Sequence, residues 1–388
     1  MRYYLIAGEA SGDLHGGNLI AALRREDPQA EFRFWGGDMM AAAASVAPVR
    51  HYKDGAVMGL GDVLASGFKL LGNIRKCRRD ILQWEPDVVI PIDYPGFNMR
   101  IAAFCHRHGI KVFYYIAPKT WASRAYRNRK LKKVVDKLFI VFPFEIPYFS
   151  KKGIPFIYKG NPLIDAIYAS PAMNCPRRDF LDRNGLPSDA RYIAILPGSR
   201  KGEISRMMPV CMDVVRSFIR TDGYGDMHFL IAGAPARDMR DYKDHITDDL
   251  RDRVHVIFSD TYGVLHNSEA AVINSGTASL EAALIGTPQV VCWSTGAFSA
   301  FVARHLLHVL DNVKYISLGN LCLDKMAFRE FIQEDFTAEN VSAELHRLVE
   351  DEEYRNDMSA SYTDIWTSLG GRGASASVAK SMIENLKQ

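Results

Sequence analysis

The sequence lacks the long apolar runs that membrane-spanning helices require. No stretch of about eighteen apolar residues occurs in the 388 residues, so we expect no transmembrane helix. The first residues, MRYYLIAG, run directly into a glycine-containing loop, which leaves too short an apolar segment for a signal peptide. We therefore expect a cytoplasmic protein, although these absences leave binding to a membrane surface open.

Paired cysteines and a strong excess of charge are also missing. The six cysteines are scattered, without the spacing of zinc or dithiol sites, which predicts reduced thiols and no metal site. A net charge of +3 from 48 basic and 45 acidic residues does not indicate a nucleic-acid partner. With 48% hydrophobic residues, a chain of this length should form two domains, each with its own core.

Strand and helix patterns alternate in both halves of the chain, which is typical of α/β proteins. The predicted strands are Arg2–Ala7, Glu31–Trp35, Pro86–Ile92, Lys111–Ile116, Lys137–Phe142, Phe156–Tyr158, Tyr192–Leu196, His228–Ala232, Val254–Ile257 and Ala271–Ile273. A polar, proline-containing stretch at 165–189 separates the halves. We predict two Rossmann-like, doubly wound domains, 1–165 and 166–369, facing a central cleft. A C-terminal helix, 370–388, is expected to pack on the first domain or on a partner subunit.

A loop in the second half has the layout of an anion site. At Asn274–Leu284, NSGTASLEAAL, a strand passes through a small-residue turn into a helix, and the first amides of such a helix lack partners and attract anions. Ser275, Gly276 and Thr277 can therefore receive a phosphate, although serine and threonine also cap helices for structural reasons. Glu281 lies where a carboxylate could reach ribose hydroxyls, unless it is an ordinary solvated residue.

The loop Pro197–Arg200, PGSR, repeats this layout between a predicted strand and a predicted helix. Gly198 and Ser199 allow a phosphate close to the backbone, and Arg200 can pair with it through two N–H groups. Neither loop contains the lysine of a P-loop. The two loops together predict a nucleoside diphosphate site in the second domain.

Two turns of the first domain also follow predicted strands. Gly8–Gly12, GEASG, is predicted as a turn before a helix that begins near Asp13, but its glycine spacing differs from the dinucleotide fingerprint. Asp93 follows the strand Pro86–Ile92, at the edge where open parallel sheets bind ligands. Asp93 is therefore a candidate catalytic residue, the alternative being a cap for the helix that begins near Phe97.

The segment Val57–Leu82 contains more apolar residues than one buried helix face needs, and basic residues gather towards its end. The pattern fits either a buried core helix or a basic amphipathic helix in the headgroup region of an anionic membrane. The apolar residues of this predicted membrane patch are Val57, Met58, Leu60, Val63, Leu64, Phe68 and Leu71. A second basic run, 119–133, is either a solvated face or a surface that meets the phosphates of a substrate or lipid.

Five motifs occur in order along the chain: GEASGD at 8–13, PIDYPGFN at 91–98, LPGSR at 196–200, NSGTASLEAAL at 274–284 and SLGNL at 317–321. Together they resemble the lipid-A-disaccharide synthases, bacterial glycosyltransferases of the two-Rossmann-domain GT-B class, over nearly the whole chain. The resemblance implies inverting, metal-independent transfer of 2,3-diacylglucosamine from its UDP derivative to 2,3-diacylglucosamine 1-phosphate. The products would be a β-1,6 disaccharide and UDP, and no cofactor is implied.

The resemblance also implies roles for individual residues. Asp93 matches the candidate general base for the acceptor 6-hydroxyl, and Arg200 matches the diphosphate arginine. The loop Ser275–Thr277 matches the phosphate loop, and Glu281 matches the ribose acid. The residues implied to line the acceptor side and the active site are Glu9, Ser11, Gly12, Asn98 and Asn320.

Two positions depart from the family pattern. Many members carry an acid in place of Gly96 and a second tryptophan in place of Ser123. If that acid takes part in proton transfer, the role rests on Asp93 alone in this chain. Because both implied substrates carry acyl chains, the resemblance implies a peripheral protein on the cytoplasmic face of the bacterial inner membrane, against anionic lipid. It also suggests a homodimer through the C-terminal region.

Two alternative functions remain open at this point. A UDP-sugar 2-epimerase would share the architecture and the nucleotide loops, but it would act on water-soluble UDP-GlcNAc without an acylated acceptor. A non-catalytic peripheral membrane protein would bind a nucleotide or a lipid phosphate and would release no UDP.

Overall fold

A computed structural model of the chain describes residues 1–55, 63–122, 124–295 and 314–388, with the backbone alone described at 63–69. These residues divide into two units by their internal contacts. Unit 1 comprises Met1–Ala166 together with Leu369–Gln388, and unit 2 comprises Ile167–Ser368. No helix among the described residues is long and apolar enough to cross a membrane.

Unit 1 is built on a seven-stranded sheet in which all neighbouring strands are parallel. Its strands are β1 Arg2–Ala7, β2 Glu31–Gly36, β3 Arg50–His51, β4 Val88–Ile92, β5 Lys111–Tyr115, β6 Lys137–Ile140 and β7 Ile157–Tyr158. The strand order is β3-β2-β1-β4-β5-β6-β7. The order reverses between β1 and β4, so the carboxyl ends of these two strands flank the switch point where open α/β sheets bind ligands.

The helices of the first part of the chain are α1 Ala10–Glu26, α2 Asp38–Ala44, α3 Val63–Trp84, α4 Pro95–Arg107, α5 Arg127–Val134, α6 Glu145–Lys151 and α7 Pro162–Tyr168. Side chains of α3 and α4 pack on the buried residues of β1, β4 and β5 in one apolar cluster. The strands are apolar along nearly their whole length because a parallel sheet with helices on both faces is buried on both sides.

Unit 2 contains a six-stranded parallel sheet. Its strands are β8 Arg191–Leu196, β9 Met227–Gly233, β10 Val254–Phe258, β11 Ala270–Asn274, β12 Gln289–Trp293 and β13 Glu330–Ile332. They are ordered β10-β9-β8-β11-β12-β13, so the switch point of this unit lies between β8 and β11. Leu196 and Ile273 are paired in register at the carboxyl ends of these strands.

The remaining helices are α8 Arg177–Asn184, α9 Lys201–Ile219, α10 Arg240–Lys243, α11 Thr261–His266, α12 Ala278–Ile285, α13 Leu318–Leu323, α14 Ala338–Glu350, α15 Glu352–Ser368 and α16 Ala374–Leu386. The last of them, α16, belongs to unit 1 and packs against α1. The carboxylate of Asp165 accepts hydrogen bonds from the amides of Gly373 (2.7 Å) and Ser375 (2.8 Å) and so caps the start of α16.

The two doubly wound parallel sheets confirm the predicted α/β class, and the predicted strands agree with the observed ones apart from a residue or two at their ends. The predicted turn Gly8–Gly12 is wrong in extent. Helix α1 already begins at Ala10, after an extended N-cap at Glu9 with φ −147° and ψ 164°. Gly8 and Glu9 suffice for the turn, so Ser11 and Gly12 lie in the first turn of the helix.

Candidate functional site

Asp93 follows β4 at the switch point of unit 1, and its backbone is held on both sides. Its amide donates to the carbonyl oxygen of Tyr115 at 3.1 Å. Its own carbonyl oxygen accepts from Asn98 Nδ2 at 2.8 Å and from the Tyr114 hydroxyl at 2.6 Å. Asp93 and Tyr94 have φ angles of 41° and 44°, which non-glycine residues rarely adopt. Such strain persists where surrounding contacts impose it, and it concentrates at functional sites.

Asn98 fixes this turn from inside the unit. Its side chain is fully buried, and Nδ2 also lies 3.3 Å from the carbonyl oxygen of Ile6 and 3.1 Å from that of Ile92. The amide thus joins the carboxyl ends of β1 and β4 and supports Asp93. The structure therefore corrects the expectation that Asn98 lines the acceptor side, because its side chain is used in the interior.

The Asp93 carboxyl group lies in a mixed electrostatic environment. Burial raises its pKa above the usual range for aspartate, the positive charge of Lys119 opposes this rise, and the negative charge of Glu9 adds to it. Lys119 comes from the segment after β5, and Glu9 is the exposed N-cap of α1. A carboxylate with a raised pKa is a stronger base, so this environment suits Asp93 for proton abstraction.

Glu145, a buried acid at the same edge of the sheet, was not predicted from the sequence. Glu145 is 1% exposed, and its Oε2 accepts hydrogen bonds from the amides of Val141 and Phe142, both at 3.1 Å. Burial raises the pKa of Glu145 to about 7, against the opposing effects of these hydrogen bonds and of Lys119. Glu145 therefore pairs with the first two amides after β6. The charge of Lys119 lowers the pKa of both Asp93 and Glu145.

Gly8 joins the first motif to the turn at Asp93. A Cβ atom on Gly8 would lie 2.4 Å from ring carbons of Tyr94, so the ring leaves room only for glycine. The Tyr94 ring in turn stacks on Phe97, with centroids 5.7 Å apart. On α1, Ser11 is exposed and Gly12 is buried. Of the first motif, Glu9 and Ser11 therefore remain accessible near the switch point.

Asp13, the last residue of GEASGD, has a structural role. It is 3% exposed, and its carboxylate accepts from the amides of Gly37 (2.6 Å), Met39 (3.0 Å) and Met40 (3.2 Å). These amides belong to the start of α2, so a carboxylate on α1 caps a neighbouring helix. Asp13 therefore holds α1 in place behind the glycine turn.

In unit 2, the two predicted phosphate loops meet at the switch point between β8 and β11. Gly198 has a φ of 109°, which disfavours a side chain. A Cβ atom there would lie 2.7 Å from Glu203 and 2.9 Å from Asn274 Nδ2. The PGSR loop therefore packs directly against the first residue of the NSGT loop.

Glu203 organises the PGSR loop. Its Oε2 accepts from the amides of Ser199 (3.0 Å) and Arg200 (3.2 Å), and its Oε1 accepts from Arg200 Nη1 (2.9 Å). The guanidinium of Arg200 is thus paired within its own loop, while the side chain remains 74% exposed. Sequence reasoning missed Glu203, although a glutamate three residues after a helix cap is the signal of a capping box.

The NSGT loop offers fewer donors than the sequence suggested. The Ser275 amide donates to the carbonyl oxygen of Cys292 (2.8 Å), and its hydroxyl donates to that of Ile316 (2.9 Å). Ser275 is therefore committed within unit 2, which corrects its predicted role. Gly276 and Thr277 are exposed, and no described residue accepts a hydrogen bond from their amides. Unpaired amides at the start of a helix are the groups that attract anions in proteins, so the phosphate role of Gly276 and Thr277 stays a prediction.

Glu281 is not the solvated helix residue of the alternative interpretation. It is only partly accessible, and burial raises its pKa to about 7. Tyr262 on α11 is its neighbour, since burial and then the charge of Glu281 raise the pKa of the Tyr262 hydroxyl. A carboxylate and a phenol thus lie together near the phosphate loop, and Tyr262 was not identified from the sequence.

Asn320 lies in the interior of unit 2, contrary to its predicted place in the active site. It is fully buried on α13. Its Nδ2 donates to the carbonyl oxygen of Phe328 (2.9 Å) and to Glu330 (2.8 Å), and its Oδ1 accepts from the amide of Ala327 (2.8 Å). Both ends of the side chain therefore hold the turn before β13, and no polar atom is left for a ligand.

The predicted membrane patch is only partly within the described residues. Val57, Met58 and Leu60 lie outside them, as do the side chains of Val63, Leu64 and Phe68 and the departure from the family pattern at Ser123. Leu71 on α3 is 52% exposed. The other departure, Gly96, is exposed at the start of α4.

Five cations lie close together on α3, α4 and α5. The pKa of Lys130 is lowered by burial and then by the charges of Arg100, Arg107, Arg127 and Arg78. None of the five forms an ion pair with an acid of the described residues. We call this group the basic surface of unit 1. Its uncompensated charge indicates an affinity for anions.

Among the residues that the structure describes, no group of three or more histidine, cysteine or acidic side chains is arranged to hold a metal ion. The exposed donors of the two loops of unit 2 are the guanidinium of Arg200 and the amides of Gly276 and Thr277.

Solved structures with the same fold include enzymes of UDP-sugar chemistry. The structure of Staphylococcus aureus MnaA with UDP has a TM-score of 0.73 at 15% identity and covers 100% of this chain and 97% of its own. UDP-GlcNAc 2-epimerase from Neisseria meningitidis, bound to UDP-GlcNAc, has a TM-score of 0.71 at 14% identity over 99% of this chain and 100% of its own. These similarities confirm the GT-B type of fold.

Sequence comparison identifies relatives that are more similar to this chain than these solved structures are. The sequence profile of the lipid-A-disaccharide synthetase family matches residues 3–380. The lipid-A-disaccharide synthase of Geobacter metallireducens is 35% identical over 99% of this chain and 97% of its own length. That of Syntrophus aciditrophicus is 34% identical over the same shares. The chain therefore belongs to the lipid-A-disaccharide synthetase family and is a glycosyltransferase of lipid A disaccharide synthesis.

Proposed function

We propose that the chain transfers 2,3-diacylglucosamine from UDP-2,3-diacylglucosamine to the 6-hydroxyl of 2,3-diacylglucosamine 1-phosphate. The products are the β-1,6 disaccharide 1-phosphate and UDP. The observation that carries this proposal is Asp93, a partly buried acid with a strained backbone at the switch point of unit 1. The switch point of unit 2 carries the exposed guanidinium of Arg200. An acid with a raised pKa at a ligand-binding edge suits proton abstraction, and backbone strain of this kind concentrates at functional sites.

Unit 2 is assigned to the donor. The amides of Gly276 and Thr277 and the guanidinium of Arg200 are the groups proposed to meet the diphosphate. They stabilise the negative charge that develops on UDP as it leaves. Glu281 is proposed to accept hydrogen bonds from the ribose hydroxyls, and Tyr262 lies next to it. The proposal includes no metal ion or cofactor.

Unit 1 is assigned to the acceptor. Asp93 takes the proton of the 6-hydroxyl while the oxygen attacks the anomeric carbon of the donor from the face opposite UDP. The new carbon–oxygen bond forms as the bond to UDP breaks, so the configuration inverts from α to β. Glu9 and Ser11, both accessible beside this edge, are proposed to contact the acceptor sugar. Asn98 and Tyr114 act on Asp93 by holding its carbonyl group.

The decisive measurement is UDP release in detergent, with and without the acylated acceptor, for the parent chain and for Asp93→Asn. Acceptor-dependent release that persists in EDTA and falls in the variant by about 10²–10⁴-fold supports the proposal, since a general base contributes on this order. Asp182→Asn, on a 68% exposed side chain of α8, is the matched control and should keep full activity. Conversion of UDP-GlcNAc without acceptor would identify a 2-epimerase, and binding without UDP release would identify a non-catalytic protein.

The charges around Asp93 provide a second test of its role as base. Because burial and Glu9 raise the pKa of Asp93 and Lys119 lowers it, the two neighbours should act in opposite directions. Lys119→Met should shift the acid limb of the kcat/KM profile to higher pH, and Glu9→Gln should shift it to lower pH. If both variants move the limb in the same direction, or neither does, another group titrates in that limb.

We further propose that unit 1 binds the cytoplasmic face of the bacterial inner membrane through the basic surface and the exposed side chain of Leu71. Each cation near an anionic bilayer adds about 1 kcal/mol. Arg100→Glu with Arg107→Glu should abolish sedimentation with vesicles rich in phosphatidylglycerol. Arg178→Glu, on an 88% exposed side chain of unit 2, should sediment like the parent. Equal binding to neutral vesicles would contradict the electrostatic part. A homodimer through the C-terminal region stays a prediction.

A further inference from the structure

The two oxygens of the Glu203 carboxylate accept hydrogen bonds from different groups. One oxygen, Oε2, accepts from the backbone amides of Ser199 and Arg200 at 3.0 and 3.2 Å. The other, Oε1, accepts from the Arg200 guanidinium at 2.9 Å. The Glu203 side chain is 20% exposed, against 74% for Arg200. A well-fixed acid thus holds a largely exposed cation at the switch point of unit 2.

We infer that Glu203 is a positioning residue for Arg200 and fixes its guanidinium for the donor diphosphate. An exposed arginine samples many rotamers, and fixing it at the moment of binding costs side-chain entropy. Pairing with Glu203 restricts these rotamers before the donor arrives, and Arg200 keeps further N–H donors for a phosphate. The inference rests on the proposed function, because it assumes that Arg200 meets the diphosphate.

The geometry also explains why Gly198 precedes this pair. A Cβ atom on Gly198 would lie 2.7 Å from both Cβ and Oε2 of Glu203. Any larger residue would push the carboxylate off the loop amides. Glycine at position 198 therefore leaves space for the Glu203 carboxylate that pairs with Arg200. It also leaves room for a phosphate.

Glu203→Gln separates the two functions of the carboxylate. The remaining side-chain oxygen can still accept from the amides of Ser199 and Arg200, so the loop stays capped. The new NH₂ group faces the guanidinium and cannot pair with it, because both are donors. Asp213→Asn is the matched control, since Asp213 forms the same kind of pair with Arg216 on α9, at 2.8 Å and with the same three-residue spacing.

The experiment measures UDP affinity by calorimetry, donor KM and kcat, and thermal melting for the parent, Glu203→Gln, Arg200→Ala, the double variant and Asp213→Asn. We expect Glu203→Gln to weaken UDP binding and raise donor KM up to about fivefold, the scale of an exposed ion pair, with kcat and the melting temperature unchanged. Asp213→Asn should leave all four quantities unchanged. In the Arg200→Ala background, Glu203→Gln should have no further effect, because the two residues act as one unit.

Five results would overturn the inference. Tighter UDP binding in Glu203→Gln would make the carboxylate a competitor of the diphosphate. Additive losses in the double variant would mean that Glu203 acts independently of Arg200. A loss of UDP affinity matched by a loss of melting temperature would assign a merely structural role. A parent chain that does not bind UDP would overturn the proposed function and this inference together, whereas full UDP binding by Arg200→Ala would remove the inference alone.

Discussion

Gly8→Ala should disable the enzyme through the turn at Asp93 without touching Asp93 itself. The added Cβ would lie 2.4 Å from ring carbons of Tyr94, whereas non-bonded carbon atoms in van der Waals contact are about 3.5–4.0 Å apart. The ring must therefore move by about 1 Å or more, and it is the side chain next to Asp93. A displacement of about 1 Å in a catalytic group can cost on the order of 10²-fold in rate. Overpacking of this kind also costs about 1–3 kcal/mol of stability.

The assay combines UDP release with thermal melting. We expect kcat of Gly8→Ala to fall by about 10–10²-fold and the melting temperature of unit 1 to fall by about 2–4 °C for each kcal/mol lost. Gly96→Ala is the matched control, because no atom lies within 4 Å of the Cβ that it adds and Gly96 lies only a few residues beyond Asp93. This control should melt no lower than the parent and keep its activity, since alanine is favoured over glycine in a helix.

A double variant tests whether the Tyr94 ring is the group that collides with the added methyl group. In Tyr94→Ala the ring is absent, so adding Gly8→Ala should produce no further loss of activity or stability. The reasoning is refuted if Gly8→Ala behaves like Gly96→Ala. It is also refuted if the Gly8 effect persists undiminished without the Tyr94 ring.

Three further predictions follow from buried polar groups. Tyr114→Phe removes the hydroxyl that donates to the Asp93 carbonyl and should lower the unfolding free energy by about 0.5–1.5 kcal/mol in urea titrations, with a reduced kcat. Since burial raises the pKa of Glu281 to about 7, donor KM should rise as the pH falls below that value, and Glu281→Gln should abolish this dependence. Burial, and then the neighbouring charge of His228, lowers the pKa of His255 from 6.5 to about 4. The unfolded state therefore takes up protons first, so unit 2 should lose stability as the pH falls from about 6.5 towards 4. His255→Gln should flatten that loss in urea titrations.

The strands and the position of Asp93 could be predicted because both depend on local patterns. A buried parallel strand is a short apolar run bounded by turn residues, and an acid directly after such a run lies at the ligand-binding edge. What the pattern does not contain is strand order. That β1 lies beside β4, and β8 beside β11, is decided by packing across the whole unit, and it is this order that creates the two switch points.

The predictions that needed correction concern polar residues whose partners are distant in sequence. Ser275 donates to a carbonyl oxygen 41 residues away, and Asn98 reaches one 92 residues away. A motif gives the residue type but not whether its hydrogen bonds are already satisfied in the interior. Asn320 could be mistaken for a ligand-binding residue for the same reason. Glu203, by contrast, carried part of a local signal, because a glutamate three residues after the N-cap is one half of a capping box.

The return of α16 to unit 1 has a consequence for biosynthesis. Leu369–Gln388 is made after the whole of unit 2, yet it belongs to the same unit as Met1–Ala166. While the ribosome is still producing unit 2, the face of α1 that α16 covers has no partner, and the carboxylate of Asp165 has no amides to cap. Unit 2 can therefore finish folding first, although it is encoded second. Unit 1, which carries Asp93, is therefore complete only after α16 has been made.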